Sequence, residues 1–348
     1  MKPVKVALVG TGTWGGIHAQ AYDANPMADL VAVCDLNEGK AKAMADQWGI
    51  QSTYTSVQDL IEDADFDAVG VATPDHAHCN VVVALAKAGK KILVEKPLAK
   101  TIEDCNAMIE AVQNNDTATL MVDFHSRWVL PFVAIKDAID KGELGEPAHA
   151  FIRLSDTLFV PRKMLSWASD TDTAWFLAVH TVDLLRWFFS DEVVKVYSVS
   201  QRKQLVSEGI DCPDYFQTIL EFSGGQTALM ENSFMMPEKS SPALFDYRCE
   251  LLGSKGAIMT TLPFSDAVRK FTDAPAALPY YPSVDVFFGP GFEGHMRGGA
   301  HAAIHSFIDY ASKGETPPVG PIDGLRATQV VLAMHESVDK GTPITLTY

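Results

Sequence analysis

Val4-Lys5-Val6-Ala7-Leu8-Val9-Gly10-Thr11-Gly12-Thr13-Trp14-Gly15 opens the first organised stretch of the chain, and its reading decides the fold class. A short apolar run meets a glycine-rich turn, and a helical pattern through Ile17, Ala21 and Tyr22 follows, giving strand, turn, helix. Gly10 permits the tight turn, Gly12 lets backbone amides approach a pyrophosphate, and Gly15 allows the helix to pack closely. Thr11, Thr13 and Trp14 complete a loop whose amides and helix amino terminus suit a negative charge. A second apolar strand, Leu30 to Cys34, ends at Asp35, 20 residues beyond Gly15. An acid at that distance accepts hydrogen bonds from a ribose 2′-hydroxyl. A 2′-phosphate about 4 Å away would be repelled by up to about 4 kcal/mol at an effective dielectric near 20. NAD is therefore expected over NADP, although Asp35 could equally serve to start the turn Asp35-Leu36-Asn37.

The alternation continues. Glu38 to Trp48 is helical, Ser56 caps a helix to Asp63, and Asp67 to Ala72 is a strand running into Thr73-Pro74-Asp75-His76-Ala77-His78. Asn80 to Ala88 is helical with Gly89 as its stop. Lys91 to Val94 is a buried parallel strand, Thr101 caps the next helix, and Thr119 to Val122 is the last strand. These strands with their crossover helices define a doubly wound domain, a Rossmann-type parallel sheet over residues 1–123. Open parallel sheets bind ligands outside the carboxyl ends of their strands, so Gly10, Thr73 and Lys96 of Glu95-Lys96-Pro97 converge on one crevice. A solvated turn lysine is the bland alternative for Lys96.

The chain is long enough for two domains, and 47% of its residues are hydrophobic. Its 28 Lys and Arg against 44 Asp and Glu give a formal charge of −16, which disfavours nucleic acid and anionic membranes as partners. Cys34, Cys79, Cys105, Cys212 and Cys249 are odd in number and scattered, which fits a reduced, cytoplasmic setting. The amino-terminal apolar run is too short for a signal segment, and no stretch approaches the ~18 apolar residues of a membrane span.

Metal binding is not expected. His76 and His78 lack a third ligand, and a histidine beside a Thr-Pro turn more simply caps a helix or lines a cofactor. His301 and His305, one helical turn apart, likewise lack one. Arg153, Arg162, Lys163 and Trp167 lie in a polar-aromatic stretch where they could grip an anionic or ring substrate, or sit on the surface. Trp175 and Trp187 are expected in the core. The segment from Pro275 to Gly299, rich in Gly, Pro and aromatics, is expected to be a long loop, covering the site or serving subunit contact.

Gly10-Thr11-Gly12 with Asp35, Thr73-Pro74-Asp75 with His78, and Glu95-Lys96-Pro97 together resemble the Gfo/Idh/MocA family, which includes glucose-fructose oxidoreductase and inositol dehydrogenase. Phe124-His125-Ser126-Arg127, Gly142-Glu143-Leu144-Gly145-Glu146-Pro147, His180-Thr181-Val182-Asp183 and Gly324-Leu325-Arg326-Ala327 extend the resemblance to nearly the full chain. It implies a second α/β domain, residues 124–348, with a large, mostly antiparallel open sheet that joins subunits into a homodimer or homotetramer. It implies catalysis by Lys96 and His180 at a substrate carbon beside the nicotinamide. Among cofactor contacts it implies Gly10, Thr11, Gly12, Thr13, Trp14, Gly15, Asp35, Thr73, Pro74, His78, Glu95, Lys96 and Arg127. Many members carry an aspartate one helical turn before the histidine, and this chain has Phe176 there. Phe176 would offer an apolar face to a ring, with Asp183 on the histidine's own helix face.

An alcohol oxidised by NAD loses a proton and a hydride, and a base and a cation can share that work. The leading expectation is an NAD-dependent oxidoreductase acting on a secondary or anomeric hydroxyl of a sugar, cyclitol or polyol. A redox-assisted glycosidase and a non-catalytic dinucleotide sensor of the same fold are the alternatives.

Overall fold

The computed structural model describes residues 2–165, 167–238, 244–262, 268–272, 289–290 and 296–348. Most of the segment from Pro275 to Gly299 lies outside the described residues; inside it, Gly289–Pro290 pairs with Met296–Arg297.

The first six strands are β1 (Val4–Val9), β2 (Ala28–Cys34), β3 (Ser52–Tyr54), β4 (Ala68–Val71), β5 (Lys91–Val94) and β6 (Thr119–Val122). They form one parallel sheet in the order β3-β2-β1-β4-β5-β6. The order reverses between β1 and β4, so ligands are expected at the carboxyl ends of these strands. Crossovers are made by α1 (Thr13–Asp23), α2 (Glu38–Trp48), α3 (Val57–Asp63), α4 (His78–Lys87) and α5 (Ile102–Gln113). Polar caps set three of their starts: Asn37 accepts from the Lys40 amide at 3.1 Å, Ser56 from Asp59 at 3.3 Å and Thr101 from Asp104 at 3.1 Å. The central strands β1, β4 and β5 are buried on both faces, as their apolar runs require.

The chain divides into two compact units, Met1–Trp128 with Phe287–Thr328, and Val129–Val286 with Gln329–Tyr348. The first unit thus takes in a stretch from late in the chain. The physical reason is α9 (Gly299–Lys313), whose Ala300, Ala303, Ile304, Phe307, Ile308 and Ala311 pack with Val6, Ile17, Tyr22, Leu93 and Met121 in one buried apolar cluster. A late helix thus completes the first unit's core. The last boundary, after Thr328, falls within α10 (Pro321–Lys340).

The second unit carries α6 (Leu130–Asp140), α7 (Val179–Phe189) and the short α8 (Gln204–Ser207) beside a large open sheet. Its strands are β7 (Pro147–Thr157), β8 (Val193–Gln201), β9 (Tyr215–Phe222), β10 (Thr227–Met236), β11 (Phe245–Gly253), β12 (Gly256–Leu262) and β13 (Val268–Thr272). Their order is β13-β12-β11-β7-β10-β9-β8, with Ile344–Thr345 at the edge beside β8. Among the described residues of this sheet only β7 and β10 pair in parallel, so the expected mostly antiparallel sheet is present. α7 covers one face, where Thr181 Oγ1 lies 3.0 Å from Met230 Sδ. On the other face Tyr197, Ile219, Leu229 and Phe151 stand in register across four strands. Ile219 and Leu229 are 47% and 48% exposed there, within this row of apolar side chains.

The glycine turn bears the tightest steric constraint in the first unit. A Cβ at Gly10, where φ is +94°, would lie 2.5 Å from the Ala72 carbonyl oxygen, and one at Gly15 would lie 2.1 Å from that of Gly10. Gly12 has open space around it. Gly10→Ala and Gly15→Ala are each expected to cost about 3 kcal/mol in denaturant titrations. Gly12→Ala should stay within about 1 kcal/mol of the parent while weakening dinucleotide binding.

Candidate active site

The nucleotide side of the site is built from the turn after β1. α1 begins at Gly12 with no side-chain cap and no acidic residue in its first turn, so its amino terminus keeps its positive field. A side chain at Gly12 would fill the open space in front of it, which is the space a pyrophosphate needs. Asp35, directly after β2, is tied into this turn: its Oδ2 accepts from the Thr11 amide at 2.9 Å and the Thr11 hydroxyl at 2.8 Å, and its Oδ1 from the Asn37 amide at 2.8 Å. Partial burial works against its charge, but these donors and Lys40 hold the carboxyl below its ordinary range. Asp35 thus braces the turn, and a carboxylate engaged in this way keeps further lone pairs that could accept from another donor.

Lys96 is 8% exposed, just past the carboxyl end of β5. The loop that carries it is held from several sides. His78 Nδ1 lies 2.9 Å from the Pro97 carbonyl and His78 Nε2 lies 3.0 Å from that of Thr73, so one ring bridges the Thr73-Pro74 loop and the lysine loop. Burial pushes the His78 imidazole below its ordinary value. A neutral ring has one N–H, so His78 donates to one of these two carbonyls at a time while its other nitrogen faces the second. Behind the loop, Thr328 donates to the Ala99 carbonyl at 2.8 Å, and Gly324 is so close to Leu98 that a Cβ would lie 2.6 Å away. Pro74 precedes the short turn Asp75–Ala77.

Glu95 turns inward. Its Oε1 is 2.9 Å from His18 Nε2, and it is 5% exposed. Arg127 pairs with Asp323 at 3.0 Å, and Asp323 in turn accepts from the Gly320 amide. Trp14 stacks on His125 with ring centroids 5.5 Å apart.

In the second unit, His180 lies in the first turn of α7 and is 4% exposed; Asp183, three residues on, is fully buried. The preceding residues Ala174–Ala178 form a π-helical turn, a rare device that often marks functional sites. Phe176 is half-buried there, between Trp167 at 6.4 Å and Phe234 at 6.0 Å between ring centroids. The carboxylate nearest in sequence, Asp172, is engaged elsewhere: it caps the Ala174 and Trp175 amides at 2.8 and 3.0 Å and pairs with His335 at 3.3 Å. His335 also stacks on Trp175.

Arg153 does not join this group. It pairs with Glu231 at 2.9 Å and with Asp246 at 3.5 Å. In the β7 register it belongs to the face of Phe151, whereas Ile152 and Leu154 share the face that α7 covers through Met230 and Asn232. Alternation of side chains along β7 thus turns Arg153 away from His180. Arg162 pairs with Glu208, and Lys163 with Glu238, at the surface.

Two groups escaped sequence reading. His18, Tyr22, Asp123 and His125 gather around Glu95, and one ligating atom from each of His18, Glu95 and Asp123 lies within 4.8 Å of the others. Asp123 stands at the carboxyl end of β6, where the strand-end rule that singles out Lys96 also points. Asp172 and His335 are 163 positions apart and carry no local signal.

Residues 4–124 match the family model described as the NAD-binding Rossmann fold of an oxidoreductase family, and residues 136–346 match its C-terminal alpha/beta domain. The chain is 30% identical over 347 residues to inositol 2-dehydrogenase 1 of Saccharopolyspora erythraea, covering 98% of this chain and 96% of that protein. It is 27% identical to myo-inositol 2-dehydrogenase of Thermotoga maritima, covering 99% and 98%. Among solved structures, the oxidoreductase domain protein of Kribbella flavida superposes with a TM-score of 0.85 at 22% identity over the full length of both chains. Scyllo-inositol dehydrogenase of Lactobacillus casei, with NAD(H) and scyllo-inositol bound, superposes with a TM-score of 0.81 at 17% identity over 99% of each. With both domains matched and the dinucleotide turn formed as its motif requires, the chain belongs to the Gfo/Idh/MocA family of oxidoreductases.

Proposed function

We propose that the protein is an NAD-dependent dehydrogenase that oxidises a secondary hydroxyl of a cyclitol of the inositol type. The observation that carries this reading is Lys96, buried at the strand end of a domain whose glycine turn and Asp35 fit a dinucleotide. The inositol dehydrogenases among its relatives supply the substrate class. Bound NAD supplies the hydride acceptor. Lys96 steadies the oxygen as its negative charge develops, and His180 accepts the hydroxyl proton at an imidazole nitrogen. Phe176 and Trp167 offer aromatic faces to the C–H side of a ring, and Asp183 orients the histidine helix. Gly10, Thr11, Gly12, Thr13, Trp14 and Gly15 hold the pyrophosphate, and Thr73, Pro74 and Arg127 complete the cofactor's surroundings.

NAD rather than NADP is part of the same reading. It is supported by an Asp35 carboxyl whose donors keep it charged. A homo-oligomer formed through the open sheet is supported by the exposed row of Tyr197, Ile219 and Leu229. A cytoplasmic location fits five free cysteines whose thiols burial pushes up, those of Cys34 and Cys105 to about 11. No helix among the described residues is long and apolar enough to cross a membrane.

Lys96→Ala should lower kcat for myo-inositol with NAD by about 100 to 1,000-fold while NAD binding stays measurable by fluorescence. His180→Ala should flatten the near-neutral limb of the rate profile; parental turnover in both would reject the reading. Asp35→Ser should shift the ratio of NAD to NADP affinities toward NADP by at least about 10-fold. Because the Asp35 carboxyl is depressed below its ordinary value of about 3.9, it is charged throughout pH 5 to 8, and NAD affinity should show no titration of this group across that range. Ile219→Glu combined with Leu229→Glu should yield a smaller species in sedimentation velocity, and an unchanged species would remove the sheet face as the contact.

A further inference from the structure

Glu95 stands one residue before Lys96 at the centre of a buried set of ionisable groups that the chemistry above does not use. His18 and Tyr22 face it from α1: His18 Nε2 is 2.9 Å from its carboxylate, and His18 Nδ1 is 3.4 Å from the Tyr22 hydroxyl. Asp123 and His125 face it from the segment after β6, with 3.8 Å between Asp123 Oδ1 and His125 Nδ1. His78 of α4 feels its charge from a further side. His18, Asp123 and His125 are all 0% exposed. Two carboxyl groups this close in a dry interior do not both ionise cheaply. Burial and then the Asp123 charge push the Glu95 carboxyl above its ordinary range. Burial works against the charge on Asp123 too, but His125 and His18 hold its carboxyl below that range. The proton therefore stays longer on Glu95, and the charge sits on Asp123 between two imidazoles.

The set links two parts of the nucleotide-binding unit. His18 lies three residues past Gly15, and His125 stacks on Trp14 within the glycine turn. A metal ion is the competing occupant, since His18, Glu95 and Asp123 could each give one ligand. Against it, His18 Nε2 and Glu95 Oε1 already satisfy one another as a hydrogen bond.

We propose that Glu95, anchored by His18 and backed by Asp123 and His125, is the positioning residue that fixes Lys96 relative to the glycine turn. The proposal rests on the reading of Lys96 given above. A displacement of about 1 Å in a reacting group can cost about 100-fold in rate, so a loosened Glu95 acts on turnover before it acts on cofactor affinity.

The test compares Glu95→Ala, Glu95→Gln, Glu95→Asp and His18→Ala with Lys96→Ala, measuring kcat and KM for myo-inositol, NAD Kd by fluorescence, and melting temperature. Glu95→Ala and His18→Ala should lower kcat by about 100-fold with KM and NAD Kd within about threefold of the parent. Glu95→Gln, which keeps the shape and a donor of the protonated acid, should recover at least about tenfold of that loss, and Glu95→Asp should fall between. Should Glu95→Ala not fold, Glu95→Asp and Glu95→Gln carry the comparison, and parental kcat in Glu95→Asp overturns the proposal. Losses in NAD affinity that match the losses in kcat also overturn it. So does one equivalent of a divalent metal in the purified enzyme that His18→Ala lacks. Parental turnover in Lys96→Ala rejects the reading of the lysine itself. Loss in Lys96→Ala with parental turnover in Glu95→Ala rejects the positioning role alone.

Discussion

Contact between the Gly10 carbonyl and the Gly15 backbone is the constraint on which the first unit depends. No side chain fits between them, since a Cβ on Gly15 would lie 2.1 Å from the Gly10 oxygen. That closeness sets where α1 starts and aims its uncapped amino terminus past Gly12 into open space. It also fixes Thr11, whose amide and hydroxyl both reach Asp35 at the end of the neighbouring strand. The positive end of a helix and the Asp35 carboxylate are thereby held in one frame by a turn whose geometry only glycine tolerates.

Charge in this molecule is managed by pairing at short range. At the surface, Arg162 with Glu208 and Lys195 with Glu221 are exposed pairs of small energetic weight. In the interior, the acids around Lys96 have imidazoles as their close partners in His18 and His125. Imidazole can match an acid either as a cation or as a neutral donor, so the interior charge need not be fixed by a permanent cation. The backbone around Lys96 is meanwhile held by His78, Thr328 and the packing of Gly324 on Leu98.

Most of the first unit was legible because its signals are local. β1, β5 and β6 coincide with their apolar runs, and Ser56, Thr101 and Gly89 mark helix limits by side-chain and backbone chemistry that needs no distant partner. β3 is three residues, Ser52–Tyr54, too short and too polar to show a period. Arg153 has the right composition for substrate contact, but which face of a strand it occupies depends on the register of its neighbours. Glu95 is visible as part of a motif, yet its partner His18 is 77 positions away, and only folding brings them together. The same holds for α9, whose amphipathic pattern says that it packs but not on which unit.

The placement of α9 bears on how the protein is made. A nascent chain that has emerged only through Trp128 has all six strands of the parallel sheet but lacks the helix that shields Ile17, Tyr22, Leu93 and Met121. Strands β7 to β13 of the large open sheet must leave the ribosome before Gly299–Lys313 arrives to seal that surface. The nucleotide-binding unit thus starts to emerge before the second unit and is completed only after most of it, so residues 1–128 alone are not a module that can be moved elsewhere intact.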